Sequence, residues 1–573
     1  MHRGRTFLDV TQGESDSEDD DAKSTQLANS TILRGVACLI LCAAMLFVIA
    51  PSHHIDAQKR LDSQDHHLSK IRNIEDDPRK RTRFFPARLQ NLLAHSHVVG
   101  SHLKDVKEGK ITVEEAIHAG GLHNDVGSSG HIGAGNLNAI HKTAPMTYDE
   151  VLTVLQDFLR KLNSSNIKHK HATFHGIWSA YHDLILKYLY PFDRDYLRRM
   201  PNRREDGSIF LSVVTYRDEF CASTLGEAFA KAKNPHQLFV GLVQQNCDEA
   251  KCRSGVLEGG KMADVGPDPD CYEIFCSSAE GKKYCANNQV RLLKVKESES
   301  LGPYMARYFA SKLWMGEQWY MQIDSHMTFI LDWDHLSIDM LNQAPSKKPV
   351  ISHYPPPHTA DLAEKAKKNV PAPRLCGPIF ATSDLESQIV RLEGSYNYDS
   401  VKLKKPRFAP FVAAGYLVAH SDLLKEVPFD PFLGYIFMGE EILMSARLWT
   451  SGYDIFSPTV SLTGHHYVRN HKPKFWESIH RTFSFGVHNP LQMLVLNRVK
   501  YQLGYPESAR DMIKPKSLFS AIEQYSMGTS RPLDEYLRIV GLDMNTKEVR
   551  FTKWCETGTP PPGFEKYRGL YDT

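Results

Sequence analysis

The chain has 573 residues, more than the ~250–300 at which one hydrophobic core stops growing, so we expect a large domain with additional segments. Its 42% hydrophobic and 24% charged residues are typical of a globular protein. The formal net charge of +2 creates no strong overall field, so we expect no nucleic-acid partner.

The N-terminal 51 residues have the composition of a tail followed by a membrane anchor. Residues 1–31 include an acidic run at 14–21 and few large apolar side chains, which predicts disorder. The apolar run at 32–51 predicts a transmembrane signal anchor. A signal peptide and a buried core helix are the alternatives, but the run lacks a small-residue cleavage site and a polar face. The short tail favours a cytosolic N-terminus, that is, a type II membrane protein.

Two segments separate the anchor from the main domain. Residues 52–145 are charged and rich in His, Gly and Ser, a composition typical of a flexible stem. From Met146 the apolar residues recur at helical spacing, so we predict a helical extension over 146–206.

The cysteines indicate an oxidising compartment. Eight of the ten follow the apolar run, and five of these lie between 247 and 285, so we predict disulfides without being able to assign their pairing. A zinc site is the alternative, but Cys247 and Cys252, like Cys271 and Cys276, are spaced more widely than zinc-ribbon ligands. A glycosylation sequon at 163–165 agrees with a lumenal position.

The pattern changes at Gly207, where we place the start of the catalytic domain (207–545); residues 546–573 form a C-terminal tail. The apolar runs SIFLSVVTYRD and QLFVGLVQQN flank the helical stretch GEAFAKA, which predicts a parallel βαβ unit and an α/β fold. Ligands of such sheets collect at the carboxyl ends of the strands. The first strand ends in four candidate site residues, Thr215, Tyr216, Arg217 and Asp218.

A strand predicted at 319–323 ends in Asp324-Ser325-His326. Side chains two positions apart in an extended chain point to the same side, so Asp324 and His326 are expected to converge. One carboxylate and one imidazole suit a divalent cation such as Mn²⁺ that keeps other coordination positions open. We interpret the nearby Asp332 or Asp334 as the N-cap of the following helix.

Several segments resemble, in order, those of one family, the polypeptide α-N-acetylglucosaminyltransferases, which include hydroxyproline-directed and mucin-initiating enzymes. The resemblance covers about 207–545 and rests on SIFLSVVTYRD, GPYMARYFASKLWMGEQWYMQIDSHMTF, FVAAGYLVAHSDLLKEVPFDPFLGYIFMGEEILMSARLWTSGYDIFSP, HHYVRNHKPKFWE and SRPLDEYLRIVGLD. It implies a GT-A (Rossmann-like) domain that transfers N-acetylglucosamine from UDP-GlcNAc, with retention, to hydroxyl side chains of polypeptides. With the anchor, it implies a Golgi or ER membrane enzyme with a lumenal catalytic domain.

The resemblance also implies roles for individual residues. Asp324 and His326 would bind the cation at the donor diphosphate, with His466 as third ligand and His465 as its rival. Arg307 and Arg469 would approach phosphate oxygens, although a surface cation explains each of them as well.

Around the nucleotide and the sugar, the resemblance leaves structural alternatives open. Residues 215–218 would hold uridine and ribose, with Asp218 bonding uracil or ribose and Arg217 stacking on the base or contacting phosphate; a structural turn is the alternative. Glu440 and Glu441 would orient the donor sugar and the acceptor, with a helix start as the alternative. Gly415 would let the sugar approach the backbone.

Phe437 and Trp476 are interpreted as core residues, with stacking on sugar or peptide as the alternative. The rival functions are a transferase using UDP-GalNAc or UDP-galactose, and a lectin-like or scaffold protein derived from the fold. The intact candidate metal ligands and the Gly-Glu-Glu turn argue against loss of activity.

Overall fold

The computed structural model describes residues 144–258, 261–383, 388–393, 403–468, 472–478, 482–484, 486–550 and 565–567. The predicted tail (1–31), the anchor (32–51), nearly all of the stem, much of the C-terminal tail and Arg469 lie outside the described residues. Within the described ranges, no helix has the length and hydropathy needed to cross a bilayer.

Three helices form the N-terminal extension: α1 (Tyr148–Lys168), α2 (Phe174–Leu184) and, after a π-helical turn at Ile185–Leu189, α3 (Tyr190–Arg198). A capping box between Thr147 and Glu150 starts α1, because each side chain accepts a backbone N–H of the other residue. The apolar face of α1 is buried, as its helical spacing predicted.

Strands and helices alternate in the next part of the chain: β1 (Ile209–Tyr216), α4 (Cys221–Lys231), β2 (Leu238–Asn246), β3 (Cys252–Glu258), β4 (Lys261–Val265), α5 (Cys271–Ser277), α6 (Gly281–Ala286), β5 (Val290–Lys296), α7 (Pro303–Ser311), β6 (Trp319–Asp324), β7 (Met327–Phe329), α8 (Trp333–Gln343), β8 (Pro349–Ser352), α9 (Leu362–Lys367), β9 (Gly377–Phe380) and β10 (Val390–Glu393).

The remaining elements are β11 (Arg407–Phe408), β12 (Tyr416–His420), α10 (Leu423–Glu426), α11 (Glu440–Thr450), β13 (Asp454–Ser457), β14 (Thr463–His465), α12 (Phe475–Ser478), α13 (His488–Gln502), α14 (Ile522–Tyr525), α15 (Leu533–Val540), β15 (Leu542–Asp543) and β16 (Glu548–Val549). Short 3-10 turns lie at Pro235–Gln237, Glu297–Glu299, Pro506–Ser508, Lys516–Phe519 and Glu565–Tyr567.

The central sheet has eight strands in the order β11-β13-β8-β12-β6-β1-β2-β5. The strands β6, β1, β2 and β5 are parallel neighbours, whereas β12 runs antiparallel between β6 and β8. The interior of β1 is buried throughout, which matches its continuous apolar sequence and the helices that cover the sheet. The prediction of an α/β fold is confirmed as a mixed, mostly parallel sheet.

Four two-stranded pairs lie outside this sheet, β3 with β4, β7 with β14, β9 with β10, and β15 with β16. The β7–β14 pair is the one that matters for the site. Its register sets His465 opposite Met327, one residue beyond His326.

Disulfides join Cys221 to Cys271, Cys247 to Cys252, and Cys276 to Cys285, and Cys376 is also disulfide-bonded. The prediction of disulfides is confirmed, and these six paired cysteines do not form the alternative zinc site.

The N-cap interpretation of Asp332 or Asp334 at the start of α8 is confirmed for the position of Asp332 and wrong for the capping hydrogen bond. Asp332 occupies the cap position with φ 61°, but its side chain makes no capping hydrogen bond. The Asp334 carboxylate instead accepts the backbone N–H groups of Lys233 (2.7 Å) and Asn234 (2.8 Å), so it holds the loop before β2. A long-range loop contact replaces the local cap.

Candidate metal and donor site

A cleft of about 590 Å³ opens at the carboxyl ends of β1 and β6. Most of the site residues expected from the sequence line it, namely Thr215, Tyr216, Arg307, Asp324, His326, Gly415, Glu440, Glu441, His465 and His466.

Asp324, His326 and His465 form a cluster that can hold a metal ion, since one ligand atom from each lies within 4.8 Å of the others. His465 Nε2 is 3.2 Å from Asp324 Oδ2, and the two imidazole rings are 4.5 Å apart at their centroids. One carboxylate oxygen and two imidazole nitrogens suit Mn²⁺ or a similar divalent cation. The residues present therefore fit the expected ion.

The sequence-based preference for His466 over His465 is not supported by this geometry. The His466 ring stacks between Phe220 (centroids 4.4 Å apart) and His358 (3.5 Å). The cause is the β7–β14 pairing, which brings His465 to the strand end that carries Asp324. Which of the two adjacent histidines reaches Asp324 depends on the register of β14 against β7, and the positions of the histidines in the sequence do not reveal that register.

Gly415 makes room for the carboxylate of Asp324. A Cβ at position 415 would lie 2.6 Å from Asp324 Oδ2, closer than real Cβ contacts allow. The backbone also connects them, as Asp324 N donates to Gly415 O (3.3 Å). The absence of a side chain at Gly415 therefore makes space for Asp324. From the sequence we had expected it to make space for the sugar.

Asp218 orients His326 from behind. The buried carboxylate accepts hydrogen bonds from His326 Nδ1 (2.5 Å) and Ser325 Oγ (2.6 Å) through Oδ2, and from Phe220 N (3.0 Å) through Oδ1. A proton held on Nδ1 leaves Nε2 of His326 as the free electron pair for a cation. The expected contact of Asp218 with uracil or ribose is therefore corrected to an internal one.

Arg217 is also internal. It is fully buried with φ 51°, and it donates to Asp268 (2.8 Å) and Glu297 (2.8 Å). The expected stacking on a base is wrong because two carboxylates enclose the guanidinium. Thr215 does face the cleft, and its buried Oγ1 has no hydrogen-bond partner within the described part of the chain.

Arg307 connects the metal cluster to Glu440. From α7 its Nη2 donates to Asp324 Oδ1 (2.9 Å) and its Nη1 donates to Glu440 Oε2 (2.6 Å). Burial opposes ionisation of Asp324, but the hydrogen bond with His465 and the charge of Arg307 hold the pKa of Asp324 well below its ordinary range. Arg307 thus positions two carboxylates, whereas we expected it from the sequence to approach the diphosphate.

Glu440 and Glu441 begin α11, where the helix dipole favours negative charge. Burial raises the pKa of Glu440 to about 7, against the opposing effect of Arg307. Burial also raises the pKa of Glu441, whose Oε1 accepts Ala414 N (2.9 Å) and whose Oε2 accepts the Tyr354 hydroxyl (2.6 Å). Tyr354 follows β8, and no sequence pattern indicated its contact with the site.

The glycosyltransferase (GlcNAc) family matches residues 208–546, more than half of the chain. The chain belongs to this family of glycosyltransferases. Comparison with curated proteins gives no match.

Two of the solved structures that this chain resembles are distant from it in sequence. A structure of GalNAc-T7 with UDP, GalNAc and Mn²⁺ is similar at a TM-score of 0.34 and 13% identity, over 70% of this chain and 66% of that chain, which is just under two thirds. Residues 1–349 of TarS from S. aureus are similar at a TM-score of 0.27 and 12% identity, over 58% of this chain and 87% of that chain.

Proposed function

We propose that this chain is a metal-dependent glycosyltransferase of the GT-A type that transfers N-acetylglucosamine from UDP-GlcNAc, with retention, to a hydroxyl side chain of a polypeptide. The observation that carries the proposal is the cluster of Asp324, His326 and His465 in the cleft that also contains Glu440 and Glu441. A cation held by a carboxylate and imidazoles would bind a nucleoside diphosphate, and the two neighbouring acidic residues would bind sugar hydroxyls.

In the reaction, the bond from the sugar C1 to the β-phosphate oxygen breaks, and a bond from C1 to the acceptor oxygen forms on the same face. A cation bound at Asp324, His326 and His465 would supply positive charge against the leaving diphosphate. The acceptor proton passes to the departing phosphate oxygen, so no strong protein base is required.

The residues of the chain position these groups. Asp218 fixes the ring of His326, and Arg307 fixes the carboxylates of Asp324 and Glu440 relative to each other. Glu440, with a pKa near 7, and Glu441 form hydrogen bonds with hydroxyls of the sugar and the acceptor. Each accepts such bonds as a carboxylate and can donate one when protonated.

The location is part of the proposal. The disulfides support an oxidising compartment, and the apolar run at 32–51 supports a type II anchor in the Golgi or ER membrane. An acceptor in that compartment would be a Thr or Ser polypeptide rather than a cytosolic hydroxyproline protein.

The test is incubation of the purified full-length chain with radiolabelled UDP-GlcNAc, UDP-GalNAc or UDP-galactose, Mn²⁺, and peptides containing Thr, Ser or hydroxyproline. We expect Mn²⁺-dependent transfer that is fastest from UDP-GlcNAc. Transfer from UDP-GalNAc or UDP-galactose alone would establish the rival donor. If the chain neither transfers a sugar nor hydrolyses any donor, the result would favour the non-catalytic rival.

The substitution Asp324→Asn keeps the shape of the side chain but removes its charge, so we expect kcat to fall by about 10³-fold with the fold retained. Asp332→Asn is the matched control, because the Asp332 side chain makes no capping bond, and this variant should retain wild-type rates. Unchanged metal-dependent transfer by the Asp324 variant would contradict the assignment.

A further inference from the structure

The aromatic residues of the cleft include two exposed rings and one tyrosine whose hydroxyl is bonded to an acidic side chain. Phe437 is 37% exposed and Trp476 is 39% exposed, and their ring centroids are 4.3 Å apart. The interpretation of these two as core residues is therefore wrong. Tyr354 is partly buried and also lines the cleft, and its hydroxyl donates to Oε2 of Glu441 (2.6 Å). Tyr354 is thus joined to a carboxylate that we propose for binding hydroxyls of the substrates.

Two donors of the protein hold the carboxylate of Glu441, one at each oxygen. Oε1 accepts the backbone N–H of Ala414 (2.9 Å), and Oε2 accepts the Tyr354 hydroxyl. The donors come from different segments, since Ala414 precedes β12 and Tyr354 follows β8. A carboxylate oxygen can accept two hydrogen bonds, so each oxygen of Glu441 retains the capacity to accept a substrate hydroxyl. The two bonds therefore orient the carboxylate without using it up.

The backbone that carries Tyr354 is fixed by the core. Strand β8 lies inside the sheet between β13 and β12, and all four of its residues are buried. His353, the residue before Tyr354, is fully buried and packs edge-on against Tyr416 of β12, with ring centroids 5.1 Å apart. Removal of the Tyr354 hydroxyl should therefore leave the fold in place and change only what the hydroxyl contacts.

The bond from Tyr354 also favours the charged form of Glu441. Burial raises the pKa of Glu441, whereas the hydrogen bonds from Tyr354 and the backbone and the charge of Arg307 lower it. Burial and the charge of Glu441 raise the pKa of Tyr354, so the hydroxyl keeps its proton and donates it. The other titratable groups around the pair are Glu440 on α11, Asp324 on β6, Arg391 on β10 and Tyr467 after β14.

We propose that Tyr354 is a positioning residue of the transfer reaction and acts through the carboxylate of Glu441; this inference rests on the proposed function. The hydroxyl holds Glu441 in one orientation, in which its remaining acceptor positions meet a hydroxyl of the sugar or the acceptor. Without that bond, Glu441 is held by Ala414 alone, so it can rotate and is protonated more easily.

The experiment is a double-mutant cycle of Tyr354→Phe and Glu441→Gln in the purified full-length chain, with UDP-GlcNAc, Mn²⁺ and a Thr peptide, over a range of pH. Tyr354→Phe removes one oxygen atom and should lower kcat by about tenfold, because a hydrogen bond to a charged group is lost. The acid side of its profile of kcat against pH should move to higher pH. In the Glu441→Gln background, Tyr354→Phe should change kcat by about twofold or less, because the charged partner is already absent.

The matched control is Tyr453→Phe, which also removes a bond from a tyrosine hydroxyl to a glutamate, Oε2 of Glu426 (2.8 Å). Tyr453 is buried and is not among the residues that line the cleft, so this variant should keep the wild-type kcat and pH profile.

A wild-type kcat and pH profile in Tyr354→Phe overturns the positioning role and leaves the proposed function intact. A tenfold loss in both backgrounds overturns it as well, since Tyr354 would then act independently of Glu441. A wild-type chain that transfers no sugar overturns the proposed function, and the positioning role with it.

Discussion

At the scale of single residues, the site depends on side chains that support the candidate metal ligands. Asp218 contacts His326 through one oxygen and backbone N–H of Phe220 through the other, so its whole carboxylate is used inside the protein. Gly415 supports Asp324 by having no side chain. Each of these supports can be removed without touching a ligand.

The first prediction concerns Asp218→Asn, which leaves only one oxygen to accept the bonds now made by two. We expect Mn²⁺ binding to weaken by about 10–100-fold, because the ring of His326 loses its fixed orientation and tautomer. Titration calorimetry with Mn²⁺ measures the effect. Ser325→Ala removes another bond to the same carboxylate but leaves His326 its partner, so it should weaken binding far less. Equal losses in the two variants would indicate general loosening of the loop.

The second prediction concerns Gly415→Ala. A Cβ 2.6 Å from Asp324 Oδ2 must displace the carboxylate. We expect transfer to slow by about 10²-fold, because a misplacement of about 1 Å at a reacting centre has an effect of this size. Gly226→Ala in α4 is the matched control, since a Cβ there meets nothing within 4 Å. If the two alanine variants transfer at the same rate, the close approach has no functional consequence.

At the scale of secondary structure, α7 joins the helical extension to the site. Arg307 of this helix contacts Asp324 and Glu440, and Lys312 just after it pairs with Asp193 of α3 (2.8 Å). Asp193 is fully buried and also accepts the hydroxyls of Tyr308 (2.8 Å) and Tyr525 (2.7 Å). The extension therefore shares a buried ionic network with the helix that positions the candidate ligands.

The third prediction concerns Asp193→Ala. We expect the free energy of unfolding to fall by about 3–5 kcal/mol, because the variant leaves the ammonium group of Lys312 buried without its counter-charge. Urea unfolding measures the change. The double variant Asp193→Leu with Lys312→Met removes both charges and should recover much of the loss. A single-variant loss below about 1 kcal/mol would show that water or rearrangement compensates the charge.

At the scale of the whole molecule, one hydrophobic core extends from Met146 to Met544 and so includes both the extension and the sheet. The disulfides reinforce it unequally. The bond from Cys221 to Cys271 spans 50 residues and connects α4 to α5, whereas the bond from Cys247 to Cys252 spans only 5.

The fourth prediction compares these two bonds by replacing each pair of cysteines with alanine. Loop-closure entropy predicts losses of about 4 kcal/mol for the longer loop and about 2 kcal/mol for the shorter. All four cysteines are buried, so the losses of packing are similar and the difference reports the loop length. Urea unfolding of both double variants without reductant measures it. Equal losses of unfolding free energy would mean that packing in the native state, and not the loop-closure entropy of the unfolded chain, determines how much each disulfide stabilises the protein.

The sequence by itself determined the elements whose signals are local. The apolar runs predicted β1, β2 and the strand ending at Asp324, and the helical spacing predicted α1, because side-chain burial on a strand or a helix repeats with a short period. Membership in a family of glycosyltransferases followed from segments that keep their order along the chain. The crowding of cysteines predicted disulfides but not their pairing.

Only the tertiary structure decided which side chains meet. The antiparallel insertion of β12 next to β6 brings Gly415 to Asp324, and the pairing of β14 with β7 brings His465 to the same strand end in place of His466. Asp218 and His326 are more than 100 residues apart in the chain, as are Arg307 and Glu440, yet each pair is hydrogen-bonded. Contacts of this kind depend on strand order and register across the sheet, and no local pattern of residues encodes them.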